Sequence, residues 1–214
     1  MSIYDLEEQE QISQIKAWWE QYGNLVVSLA AAVALAMAGW QGWRWYESDK
    51  ATGAGALYAG LQQAVAADDA QRCREIAGSL VSKYAGTVQA QMGVLLSTWV
   101  QFRKNELDNA LPQLEWAADK GKDAALRDLA RLRLATVLLQ KGDATAALAR
   151  LQPVPEGPWR VRFEDLRGDA LAVQGKADEA RAAWQAALDA PGVAEIDSAM
   201  LHALIRAKLE SLEG

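Results

Sequence analysis

The sequence predicts an all-α protein: a single N-terminal transmembrane helix, then a solenoid of stacked helical hairpins closed by a C-terminal capping helix. Three observations predict it. The chain of 214 residues is rich in Ala, Leu, Gln and Glu and holds only 5 prolines, a composition that favours helix and disfavours strand. The 23 residues from Gln21 to Trp43 carry no charge. Beyond them, a small–large–small pattern returns at spacings of roughly 34 residues, the mark of a repeat built from helix pairs.

Residues 1–22 come first, as a short acidic amphipathic segment. Ile12, Ile15 and Trp19 fall at i, i+3 and i+7 and give one apolar stripe opposite acidic groups. Residues 1–43 hold Lys16 against Asp5, Glu7, Glu8, Glu10 and Glu20, a balance of −4, while residues 44–214 hold 21 basic and 23 acidic groups. The overall −6 therefore concentrates in this segment. No basic stripe appears anywhere, so the chain predicts no nucleic-acid partner.

Residues 23–46 form the anchor. A helix over the charge-free span is about 35 Å long, enough for a hydrocarbon core of about 30 Å. Trp18, Trp19 and Tyr22 flank one end, and Trp40, Trp43, Trp45 and Tyr46 the other. Aromatic rings with a polar edge favour the headgroup level, so two such girdles at this separation point to a membrane span. Ala36-Met37-Ala38 has the form of a signal-peptidase site, but a signal peptide begins with a short basic region. Here an acidic segment precedes the apolar run, so the anchor is expected to stay uncut. Ser28, Ala32, Ala36 and Gly39 share one helical face, and small residues let membrane helices approach closely, which makes that face the expected docking face. Lys16 on one side and Arg44 and Lys50 on the other do not set an orientation.

Residues 47–214 carry the repeats. Gly142 superposes on Gly175, Ala147 on Ala180, Leu151 on Trp184 and Val154 on Ala187, an offset of 33. Ala110, Leu114 and Ala117 lie 37 residues before the first of these sets, and Cys73, Ala77 and Leu80 another 37 before that. Each set places a small residue where two helices of a hairpin approach and a large one where hairpins stack. Gly168 takes the small position of a first helix. This arrangement resembles the tetratricopeptide (TPR) repeat. The packing positions expected from it are Ala110, Leu114, Ala147, Leu151, Gly168, Ala180 and Trp184. Helix 195–212 ends the stack as a cap, with Met200, Leu201, Leu204, Ile205 and Leu209 facing inward.

Stacked hairpins leave a concave face lined by their first helices. The repeat phase puts Tyr58, Gln62, Met92, Leu95, Trp99, Phe102, Leu129, Leu132 and Thr136 there, followed by Arg162, Asp165 and Asp169. The groove is thus apolar in the middle and charged at its C-terminal end, suited to an amphipathic or extended apolar segment of a partner. Chemistry is sparse by contrast. There is one Cys, Cys73, and one His, His202. The chain has no Gly-rich phosphate loop, no His-Glu-x-x-His and no Gly-x-Ser-x-Gly. Neither a catalytic residue nor a cofactor or metal site is expected, and the chain reads as a non-enzyme.

The N-terminal motif is more specific than the repeats. Glu7-Glu8-Gln9-Glu10-Gln11-Ile12, then Ile15-Lys16-x-Trp18-Trp19, then Tyr22-Gly23 before a single membrane helix resembles the ancillary SecYEG translocon subunits of Gram-negative bacteria. The layout that follows, one anchor and a TPR-like domain, is also similar. The resemblance implies an inner-membrane protein with a cytoplasmic N-terminus and a periplasmic repeat domain. It also implies two partners, the SecYEG channel and a PpiD-like membrane-anchored chaperone, and exported proteins as clients. A structural assembly factor for another envelope complex, with no translocon link, fits the same residues, as does an enzyme accessory with a cytosolic repeat domain.

Overall fold

The computed structural model describes the backbone of residues 4–190 and 196–212; within these, side chains are described from residue 12 onward except those of 14, 15, 158 and 196–198. The apolar stripe assigned to Ile12, Ile15 and Trp19 therefore falls partly outside the described residues, at Ile15. Nine α-helices and one short 3₁₀ turn make up the described chain: α1 (Tyr4–Ala66), α2 (Ala70–Tyr84), α3 (Val88–Arg103), α4 (Leu107–Lys120), α5 (Ala124–Gln140), α6 (Ala144–Arg150), the 3₁₀ turn Gly157–Trp159, α7 (Arg160–Val173), α8 (Ala177–Leu188) and α9 (Ile196–Ser211). The chain divides into two compact units, Met1–Lys50 and Ala51–Gly214, and α1 contributes to both.

In the first unit, one helix among the described residues is long and apolar enough to cross a membrane. Its apolar side chains from Leu25 to Met37 are exposed almost throughout, the reverse of a soluble core helix and the arrangement a bilayer would cover.

The second unit is a stack of four hairpins and a cap. The pairs are residues 51–66 of α1 with α2, α3 with α4, α5 with α6, and α7 with α8. All four hairpins turn the same way. The residue in the left-handed backbone region is Asp68 (φ 52°), Asn105 (φ 57°), Gly142 (φ 84°) and Gly175 (φ 74°) in turn, so the spacings of 37, 37 and 33 residues are those of the side-chain pattern. Each turn closes with the same pair of backbone bonds. At the third, Gly142 N–H donates to Leu139 O at 3.0 Å and Asp143 N–H to Leu138 O at 2.9 Å; the fourth repeats this at Gly175 and Lys176. This paired closure satisfies carbonyls that a helix end leaves open. The side chains of Asp69 and Asp143 then accept from the N–H of Arg72 and Ala146 and start the second helices. Thr87 and Asp123 cap α3 and α5 in the same way.

Burial follows the small–large–small sets. Cys73, Ala77, Leu80, Ala110, Ala117, Ala147, Leu151, Ala180 and Ala187 are fully buried, and Leu114 and Trp184 nearly so. They fall in four contiguous clusters, one between each neighbouring set of helices, as expected where each hairpin buries its face only against the next. First helices also meet first helices, α3 with α5 and α5 with α7, which makes the stack a solenoid.

The cap corrects one expectation. Leu201, Ile205 and Leu209 join the last core cluster, but Met200 and Leu204 are exposed. The inward stripe of α9 runs through 201, 205, 208, 209 and 212, and positions 200 and 204 lie just off it.

Candidate functional site

Two adjoining hollows lie on the face formed by the first helices of the second unit. One, of about 220 Å³, is lined by Thr98, Trp99, Phe102, Leu114, Arg133, Thr136 and Val137. The other, of about 380 Å³, is lined by Tyr58, Met92, Leu95, Leu96, Trp99, Leu126, Leu129 and Arg133. Both are mainly apolar, and Trp99 and Arg133 belong to both.

Of the residues placed in the groove from sequence, Tyr58, Met92, Leu95, Trp99, Phe102, Leu129 and Thr136 line these hollows. Their exposure is uneven. Trp99 is 42% exposed, whereas Leu95 is 4% exposed and belongs to the core shared by α3, α4 and α5. Leu132 lines neither hollow. It packs with Ala135, Ala147, Leu151 and Phe163 in the next core cluster, and its place on the groove face is taken by Arg133. Positions 129, 133 and 136 follow the i, i+4, i+7 spacing of one helical face. Position 132 also fits one helical face with 129 and 136, so the repeat phase alone did not separate it from 133.

Arg133 has an unusual setting. Its Nη1 donates to the Leu95 carbonyl at 2.6 Å. No carboxylate lies within ion-pair distance of it among the described residues, and neither hollow is lined by an acidic group. Burial pushes the guanidinium pKa down. Arg103, by contrast, stacks over the Trp99 ring at 4.7 Å and reaches Asp68 at 3.8 Å.

The charged C-terminal end of the face is closed by the cap. Lys208 Nζ lies 2.6 Å from Asp165 Oδ1 and 2.7 Å from Asp169 Oδ1. Trp184 Nε1–H donates to Asp165 O at 3.1 Å and Asp169 Oδ1 at 3.2 Å. Asp165 and Asp169 thus serve α9 and α8, and Arg162 remains exposed beside them. Burial raises the Asp165 pKa first of all and Asp169 adds to it, against the pull of Lys208.

Elsewhere, Cys73 is a free, fully buried thiol whose pKa burial pushes up, with Asp69 and Asp68 adding to the shift. It is held as a thiol, the form that is neither nucleophile nor metal ligand. His202 is half-buried on α9.

The first unit carries the other candidate residues. Trp18 packs against Trp19 and Tyr22, with centroids 6.4 and 5.8 Å apart, and Trp43 against Tyr46 at 6.4 Å. Lys50 stands 4.2 Å over the Tyr46 ring. Trp40 and Trp45 are exposed. The two aromatic groups flank the apolar span. Ser28, Ala32, Ala36 and Gly39 are all exposed; Ser28 Oγ donates back to Asn24 O at 2.7 Å, and a Cβ at Gly39 would meet nothing within 4 Å.

An apolar single-span helix joined to a four-hairpin stack defines a membrane-anchored TPR protein. The family model for a tetratricopeptide repeat-like domain matches residues 16–214. The ancillary SecYEG translocon subunit of Escherichia coli (strain K12) is 32% identical over 189 residues, 87% of this chain and 89% of that protein. The protein of the same name from Aggregatibacter actinomycetemcomitans is 27% identical over 98% of this chain and 99% of its own length, and that from Neisseria gonorrhoeae 27% identical over 86% and 88%. This chain belongs to the family of ancillary SecYEG translocon subunits.

Proposed function

We propose that this protein is a membrane-anchored interaction module of the SecYEG translocon. The observation that carries the reading is that similarity to proteins named ancillary SecYEG translocon subunits runs through both the anchor and the repeats. The apolar span holds the protein in the inner membrane beside the channel, with the N-terminus cytoplasmic and the repeat unit periplasmic. Ser28, Ala32, Ala36 and Gly39 form its docking face within the bilayer. The hollows around Trp99 receive apolar segments of partner proteins, a PpiD-like membrane-anchored chaperone and exported clients. Tethering supplies effective concentration, so weak contacts in the groove suffice.

Copurification from gently solubilised membranes tests the reading. The channel subunits should come down with the full chain. Recovery of another envelope complex without channel subunits would support the assembly-factor alternative instead. A periplasm-active reporter fused after Gly214 should be active, and one fused before Met1 inactive; the reverse pattern would overturn the proposed topology.

A further inference from the structure

We infer that the groove selects a partner segment carrying an internal carboxylate, an Asp or Glu side chain flanked on both sides by large apolar side chains, and that Arg133 is the residue that reads it. The inference rests on the proposed role of the hollows as a binding site for protein segments and specifies what they bind.

Three observations carry it. Arg133 lines both hollows, and its one hydrogen bond among the described residues, to Leu95 O, engages a single N–H. A guanidinium has five N–H donors and stays charged in proteins, so the described chain leaves most of its bonding capacity unused. It is also set among apolar side chains, with no acidic residue of the described chain lining either hollow. A half-buried cation in such surroundings favours an anion brought by the ligand, and the low local polarity strengthens that bond.

Position decides between sources of the carboxylate. Arg133 and Trp99 sit where the two hollows join. Phe102, Thr136 and Val137 lie to one side, and Tyr58, Met92 and Leu129 to the other. A segment passing through both would place an apolar side chain in each and its anion between them. A chain terminus would place its carboxylate at one end of the contact and leave one hollow unfilled. The geometry therefore favours an internal acidic side chain over a free C-terminus.

The test uses the full chain in lipid nanodiscs and two random peptide libraries, one displayed with a free C-terminus and one with its C-terminus fused. Selection on the wild-type protein should enrich Asp or Glu between large apolar residues in both libraries. Re-made as free peptides, the winners should bind about tenfold more tightly than their Gln or Asn versions. On Arg133→Leu the acidic preference should vanish while the apolar preference survives. Arg133→Lys should retain part of it, since the charge remains but the planar fork does not. Thermal unfolding of both variants confirms that they fold. Equal binding of acidic and amide peptides to the wild type overturns the inference, as does an acidic preference that persists in Arg133→Leu, or enrichment confined to free C-termini. Failure of every peptide to bind also overturns it, while channel copurification remains an independent measure of the translocon reading.

Discussion

A Cβ on Gly168 would stand 2.4 Å from Cδ1 of Trp184, so the indole of α8 occupies the space that any side chain at position 168 would need. The same indole donates to Asp165 and Asp169, which fixes its position and leaves it little room to retreat. α7 and α8 pack closely because one partner of the pair has no side chain.

Gly168→Ala follows from this. In an exposed helix interior the change from Gly to Ala stabilises by about 1 kcal/mol. Here the overlap with Trp184 must be relieved by parting the helices, and overpacking typically costs about 1–3 kcal/mol. The second effect wins, so the melting temperature of the full chain in detergent should fall. Gly78 is the control. It is exposed on α2, and a Cβ there would meet nothing within 4 Å, so Gly78→Ala should raise stability slightly. Equal responses at the two sites would mean that Trp184 does not confine position 168.

Trp99 and Leu151 separate groove from core. Leu151 is fully buried in the cluster with Ala135, Ala147 and Phe163, and Leu151→Ala should cost about 2–5 kcal/mol, as truncations in a packed core do. Trp99 is 42% exposed, and its contacts within the chain include the stacked Arg103. Trp99→Ala should cost distinctly less stability and reduce recovery of partner proteins, since aromatic anchors dominate interface energetics. Thermal unfolding and pull-down of both variants give the comparison. A Trp99→Ala protein that is as unstable as Leu151→Ala would make Trp99 a core residue and remove the groove's aromatic anchor.

The anchor and the hairpin phase were legible because each rests on a local signal repeated several times. A charge-free span of 23 residues between aromatic groups is read without any distant contact, and the small–large–small sets recur at spacings of 33 and 37 residues. The site was legible only in part. Met92, Trp99 and Phe102 share a face by spacing alone, but on α5 the repeat phase put Leu132 on the groove face, although 132 and 133 both fit one face with 129 and 136. The structure answers with the charged one. Gln91 shows the same limit. A glutamine reads as a surface residue, yet it is fully buried, because its amide donates to Ala117 O and Asp123 O and accepts from Asp123 N–H. That exchange across the α4–α5 loop involves residues 26 to 32 positions away, beyond the reach of any periodicity. Met200 and Leu204 fail for the opposite reason: hydrophobicity placed them inside, and the register of α9 left them out.

The small face of the anchor predicts a selective loss of association. Ala32→Leu combined with Ala36→Leu keeps the span apolar, so membrane insertion should be unchanged. It removes the close backbone approach that short side chains allow. Copurification with membrane partners should fall while the amount of membrane-extracted protein stays constant. Unchanged recovery of partners would reduce the stripe to Ala-rich filler.

The cap should depend on Lys208 more than on either of its partners. Lys208→Met leaves Asp165 and Asp169 facing each other with only the exposed Arg162 nearby, and removing one member of a partly buried ionic cluster is costly because the remaining charges stay desolvated. The groups are partly open to solvent, so the expected loss is about 1–3 kcal/mol, below that of a fully buried pair. Asp165→Asn should cost less, because burial already works against its charge. The pH dependence has a definite sign. Burial alone would lower the Lys208 pKa, but the hydrogen bonds to Asp165 and Asp169, with their charges, outweigh it and raise the pKa above the ordinary 10.5. A lysine with a raised folded pKa contributes stability that is fully present below its unfolded value and is lost as pH rises through the folded one. The stability gap between wild type and Lys208→Met should thus be constant through the neutral range and narrow above about 10.5, where the lysine loses its charge. The gap should also narrow on acidification, because Lys208 pulls the Asp165 pKa down and its removal lets Asp165 take up a proton at higher pH than in the wild type. Thermal unfolding of both proteins across this range reads the gap directly, and a gap that does not narrow above about 10.5 would show that the charge of Lys208 does not hold α9 in place.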